Sequence, residues 1–175
     1  MATTTTESAM GAMALEPHLL GAVIGAVQSG LQMCNVPARC VGFSTVPSGQ
    51  GGSITGMIGL HGKATGFVAV NMPERFAMSA VSGLLDEQCS QLTSQVVDGV
   101  GEITNIVVGG IKKALATTPH AVSHITVPSV IVGSGYQIAF AKGLDFVCAI
   151  FEHQDPEALR LDDRLMYVSM SLLKL

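Results

Sequence analysis

Residues 92–115 read LTSQVVDGVGEITNIVVGGIKKAL, and this stretch constrains the fold more tightly than any other. On a wheel of about 100° per residue, Val96, Val100, Ile103, Val107, Ile111 and Ala114 share one arc, which predicts a helix with a buried stripe. Asp98, Glu102 and Asn105 gather on the opposite side, within roughly 60° at that pitch. Gly109 lies over the same polar face, Lys112 and Lys113 border it, and Gly99 and Gly101 flank it. The segment is nevertheless a poor intrinsic helix. It holds four glycines and a run of β-branched residues, and each glycine costs up to ~1 kcal/mol relative to alanine. Packing against a larger apolar surface must hold it. The glycines offer access, since no side chain there obstructs a second backbone approaching Glu102 and Asn105. Spacing alone leaves the plainer alternative open, because every exposed helix face carries polar residues.

The rest of the chain supplies that apolar surface. Hydrophobic residues make up 48% of the 175 and charged residues only 13%, against about 25% charge in an ordinary soluble domain. So little charge over so much apolar sequence suggests that part of the outside is also covered, as in a homo-oligomer. Nine Lys and Arg against thirteen Asp and Glu exclude the clustered basic surface of a nucleic-acid binder. The apolar content excludes a disordered chain. The apolar stretch at residues 19–27 is about half of the ~20 residues a membrane-spanning helix needs. The first 18 residues carry Glu7 and Glu16 but no Lys or Arg, which argues against a secretory leader. Cys34, Cys40, Cys89 and Cys148 are scattered without a C-x-x-C pair, which predicts reduced thiols in a cytoplasmic protein and no cysteine-bound metal.

Leu15, Leu19, Val23, Val27 and Leu31 recur at helical spacing and predict a second long helix over about 13–33, with Pro17 in its first turn. Residues 1–11 are Thr-rich and aperiodic and are expected to be a disordered terminus. That leaves 12–175 as one domain. Strands are predicted at 39–46, 53–60 and 64–71, the last two as a hairpin, with a turn tip at 47–52. Pro73 opens a shorter helix to about 85, with Phe76, Val81 and Leu84 inward. After Pro119 the period changes, and strands are predicted at 129–132, 136–142, 146–152 and 165–173. Residues 153–163 read as an exposed loop, and no internal repeat is evident. The order α-β-β-β-α-α-β-β-β-β predicts an α+β domain in which two long helices pack on an antiparallel sheet.

Other motifs carry less. His120 and His124 have the spacing of a metal pair on a helix, but Pro119 argues against a helix there. Ser48-Gly49-Gln50-Gly51-Gly52 lacks the Lys and Ser/Thr of a phosphate-binding loop. There is no G-x-S-x-G elbow.

Asp98-x₃-Glu102-x₂-Asn105, followed after 22 residues by Pro128, resembles the signature of the CheC/CheX/FliY chemotaxis phosphatases. Ser53-Ile54-Thr55-Gly56, Gly66-Phe67-Val68, Pro73-Glu74 and the run from Val127 to Gly133 resemble the CheX branch in order and spacing. CheC-type proteins carry two E-x-x-N copies on two helices. Here Glu16-Pro17-His18-Leu19 has Leu where Asn would be needed, and a single copy points to the CheX-like branch. The resemblance implies hydrolysis of the aspartyl-phosphate of a CheY-like response regulator. Asn105 would position the attacking water, and Glu102 would pair with the regulator's active-site Lys. Asp98 would orient Glu102 or touch the partner, with Gly101 and Gly109 at the same contact. No cofactor of its own is implied, since the Mg²⁺ belongs to the regulator, and the expected assembly is a homodimer. Two other classes stay open: a CheX-like docking module with little catalysis, and a dimeric scaffold in a two-component signalling complex.

Overall fold

The computed structural model describes residues 16–47, 52–140 and 143–175. The expectations for residues 1–11, for a helical turn before Glu16 and for the turn tip at 48–51 lie outside the described residues. The elements are α1 (Pro17–Met33), β1 (Ala38–Ser44), β2 (Ile54–Gly62), β3 (Ala64–Met72), α2 (Glu74–Leu85), α3 (Ser94–Leu115), β4 (Val122–Ile125), β5 (Ser129–Val132), β6 (Asp145–His153) and β7 (Leu165–Lys174). A 3-10 turn, Leu161–Arg164, precedes β7.

The fold is α+β, with an antiparallel sheet in the order β1-β6-β7-β3-β2-β4 and β5 also paired to β2. That order is symmetric about the central β7–β3 pair. Each half opens with a long helix followed by strands, a topological symmetry that is not evident in the sequence. α1 and α3 run antiparallel to each other. They meet closely at Gly110, where an added Cβ would come within 2.9 Å of Ala26, and at Gly30, where it would come within 3.3 Å of Ile106 and Val107.

Burial explains why α3 forms despite its composition. Four glycines forgo at most ~4 kcal/mol of helix propensity. Val96, Val100, Ile103, Val107 and Ile111 are all fully buried, and each contributes about 1.5–3 kcal/mol. Packing therefore wins. Ala114, expected in the same stripe, is exposed, and Leu115 takes the core position in the last turn instead. Pro17 occupies the first turn of α1 as expected. In α2, Phe76 and Val81 are buried and Leu84 half-buried.

Two strand expectations fail together. Val122–Ile125, not predicted, is a strand that pairs Ile125 with Leu60 and His124 with His61 of β2. Residues 136–140, predicted as a strand, are not one. They lie against the sheet: the Tyr136 hydroxyl bonds Thr55 of β2, Asn71 of β3 donates to that hydroxyl at 3.4 Å, and the Phe140 ring stacks on Phe67 at 5.3 Å and meets Phe146 edge-on at 4.7 Å. Alternation puts every second side chain on one surface. Here those side chains cover the sheet rather than extend it.

The stretch from 153 to 163 is more than an exposed loop, because Arg75 at the start of α2 bonds Asp155 and Glu157 there. The guanidinium holds the Asp155 carboxyl below the usual carboxylate range. His120 is fully buried between His18 Nε2 and Asp145 Oδ2, each at 2.8 Å. The chain is satisfied when His120 donates from Nε2 to Asp145 and accepts at Nδ1 from His18, which ties α1 to β6. His120 is thus engaged by His18 and Asp145, while His124 is exposed on β4. Cys34 and Cys148 are buried, and that burial raises both thiols; none of the four cysteines is in a disulfide. Among the described residues no helix is long and apolar enough to cross a membrane.

Candidate functional site

Thr93 caps α3, its hydroxyl accepting the N–H of Val96 at 3.4 Å, while Lys112 and Lys113 close the last turn, where cations suit the helix dipole. The rotation of α3 is set from below. Thr104 is fully buried, donates its hydroxyl to the Val100 carbonyl at 2.7 Å, and occupies the space above Gly56 of β2. A Cβ at Gly56 would overlap the Thr104 side chain, so only glycine lets the helix sit this close to the strand. With Thr104 held against the sheet, Asn105, about 100° further round the helix, and Glu102, about 160° from it, look outward.

Asp98, Glu102 and Asn105 are all exposed on that outer face. None of the three side chains has a hydrogen bond or ion pair among the described residues. No hydrogen bond joins Asp98 to Glu102 among the described residues. Gly109 is half-buried, with open space where a Cβ would stand, so the face is bare beyond Asn105. Gly101 departs from expectation. It is buried and faces the Pro128 ring, 3.6 Å from where its Cβ would be, on the side towards β5. Gly99 is likewise buried, against Val81 of α2. These two glycines serve internal packing, and only Gly109 fits the role of clearing the surface. The carboxylates and the two lysines sit at opposite ends of the face, about 16 Å apart from Glu102 to Lys113 at 1.5 Å per residue.

The supposed second copy of the motif is also misplaced. Glu16 is the N-cap of α1, and Leu19 is buried. A shift of 77 residues carries the buried Leu19, Ala22, Val23, Ala26, Val27, Gly30 and Leu31 of α1 onto buried positions of α3. By that register the counterparts of Asp98, Glu102 and Asn105 are Gly21, Gly25 and Gln28, all exposed. A sequence search keyed to E-x-x-N has no purchase on Gly-x-x-Gln. The repeating signal is in the buried residues.

The three polar residues stand exposed along one helix. A shallow hollow at the start of α3, lined by Gln88, Cys89, Ser90, Gln91, Thr93 and Gln95, includes none of the three residues. Small-molecule sites are concave and largely apolar; an exposed carboxylate and amide on a helix ridge suit insertion into a pocket on another macromolecule. Among the described residues no group of three or more His, Cys, Asp or Glu is placed to hold a metal ion.

The family whose model matches residues 54–152 is described as "Chemotaxis phosphatase CheX". No curated protein sequence matches the chain. Its fold is similar to a chemotaxis protein CheX from Desulfovibrio desulfuricans, at 19% identity and a TM-score of 0.75, covering 89% of this chain and 99% of that one. It is also similar to CheX from Vibrio vulnificus, at 22% identity and 0.72, covering 89% and 96%. A third similar structure is CheX in a CheX–CheY–BeF₃–Mg²⁺ complex from Borrelia burgdorferi, at 19% and 0.68, covering 91% and 98%.

Proposed function

The chain belongs to the CheX family of chemotaxis phosphatases, and on that premise we propose that it hydrolyses the aspartyl-phosphate of a CheY-like response regulator. One observation carries the reading: Glu102 and Asn105, one helical turn apart, are exposed and unengaged on a helix whose rotation is fixed by Thr104 over Gly56. The Borrelia complex supports the choice of partner.

Phosphoryl transfer asks for positioning and charge stabilisation more than covalent help. The Asn105 amide can accept from and donate to a water, and it keeps one form at all working pH. In line with the acyl phosphate, that water's oxygen bonds to phosphorus as the bond to the aspartyl oxygen breaks. Inorganic phosphate and the free carboxylate are the products. Glu102 supplies the negative charge against which the regulator's Lys docks, fixing the register of the two proteins. On this reading the Mg²⁺ would be held by the regulator and would supply charge neutralisation at the phosphoryl group. We further propose a homodimer, supported by the low charge content and testable by light scattering.

Decay of a CheY-type receiver phosphorylated with acetyl phosphate, with and without this protein, tests the reading. Acceleration is expected. Asn105→Ala should reduce it by at least ~100-fold, the range for losing one aligned polar group in a transition state. Circular dichroism and melting should be unchanged, since the side chain is exposed. Acceleration that survives Asn105→Ala rejects the catalytic role. Binding without acceleration would identify a docking module, and absence of binding a scaffold.

A further inference from the structure

Val127 is 82% exposed, on a corner whose backbone is held from both sides. Before it, Thr126 accepts the Gly59 N–H at its hydroxyl, 2.9 Å, and donates its own N–H to the Gly59 carbonyl, 3.0 Å. After it, Pro128 has a fixed φ, and its ring rests over Gly101 of α3. The corner is thereby clamped between β2 and the helix that carries the polar pair. Gly101 and Asn105 are four residues apart, hence neighbours on the helix surface. Pro128 therefore lies towards the flank from which Asn105 projects, and Val127, the exposed residue before it in the chain, is held next to that contact.

A lone exposed valine needs no explanation. This one has a pinned backbone and adjoins a site whose own contacts are all polar. Asp98 and Glu102 offer solvent-screened charges, and exposed ion pairs contribute little affinity. Interfaces draw most of their energy from a few well-packed anchors inside a polar rim. An anchor held in place beforehand loses little entropy on binding.

We propose that Val127 is a specificity-determining contact, seating against an apolar patch that borders the phosphorylated pocket of the receiver domain while Asn105 enters that pocket. The proposal rests on the phosphatase reading above and names the contact that selects its partner. Gly101 has a defined part in it, because its missing side chain lets Pro128 bring the corner up to the helix.

The test uses the full-length protein with Val127→Ser, Val127→Ile and Asn105→Ala. Two readouts are taken on a CheY-type receiver: turnover of its acetyl-phosphate-generated form, and binding of its beryllofluoride-activated form. Val127→Ser should raise KM and weaken binding at least fivefold with kcat within twofold, and Val127→Ile should stay within twofold throughout. Val127→Ser with KM and binding unchanged, or with kcat reduced and KM unchanged, overturns the contact. If Asn105→Ala still abolishes turnover in that case, the phosphatase reading stands alone. If no variant hydrolyses but Val127→Ser still weakens binding fivefold, the contact stands and the phosphatase reading falls. A wild-type protein that neither binds nor hydrolyses overturns both.

Discussion

On α1 the residues that look out to solvent include Gly21, Gly25 and Gln28; on α3, 77 residues later, they are Asp98, Glu102 and Asn105. Beneath them the two helices bury residues in the same register and meet across Gly30 and Val107. The inward faces thus share a burial register, whereas the outward residues at the three matching places differ entirely. The difference teaches how the two kinds of position are constrained. An inward residue is held by the kilocalories its burial contributes. An outward one usually changes stability by less than about 0.5 kcal/mol when substituted, so it can lose or gain chemistry without disturbing the fold. The proposed function uses the outward face of α3 alone.

Substitutions placed in pairs, one in each region, can break this comparison. The largest contrast should come from the contacts that seat the helices. Gly56→Ala puts a methyl into the Thr104 side chain and should cost about 3 kcal/mol in urea unfolding, the upper end for overpacking. Gly30→Ala meets only the methyl groups of Ile106 and Val107 at 3.3 Å, and its strain is offset by a gain of up to ~1 kcal/mol in helix propensity. It should be nearly neutral. Equal costs would mean that α3 is not seated by Thr104.

The next contrast concerns chemistry. Glu102→Ala should raise KM for a phosphorylated receiver about tenfold, which is ~1.4 kcal/mol and near the low end for a hydrogen bond to a charged group. Gln28→Ala, at the matching place on α1, should leave turnover unchanged. A comparable loss from both would show that α1 also carries a working site.

The smallest effect should be the most discriminating. A methyl at Gly25 or at Gly109 enters open space, so each alanine should stabilise the fold by up to ~1 kcal/mol. Gly25→Ala should leave turnover alone, whereas Gly109→Ala should slow it a few-fold by obstructing the partner's approach. Identical kinetics for both would remove Gly109 from the contact surface.

The polar face was legible in the sequence because it rests on local geometry. Residues three and four apart share a helix face wherever that helix lies, so Asp98, Glu102 and Asn105 could be grouped before any fold was known. The antiparallel sheet followed from alternation and turn residues. Alternation does not reveal whether a segment joins the sheet or lies on it, so residues 136–142 read as a strand while 136–140 lie against the sheet, and the four-residue β4 carries no such signal. Gly101 misled for a related reason: the wheel placed it beside Glu102, but what it faces is Pro128, which only the folded chain brings there.

The amino-acid order by itself determined that α3 would have one apolar and one polar side, and that a carboxylate and an amide would project together from the latter. Tertiary structure decided which way that helix is turned, which glycines are buried, and that α1 is its counterpart with Gly21, Gly25 and Gln28 in the corresponding places. Periodicity acts through neighbours within a turn, whereas the seating of Thr104 over Gly56 and of Pro128 over Gly101 depends on groups far apart in the chain, fixed only when the core closes.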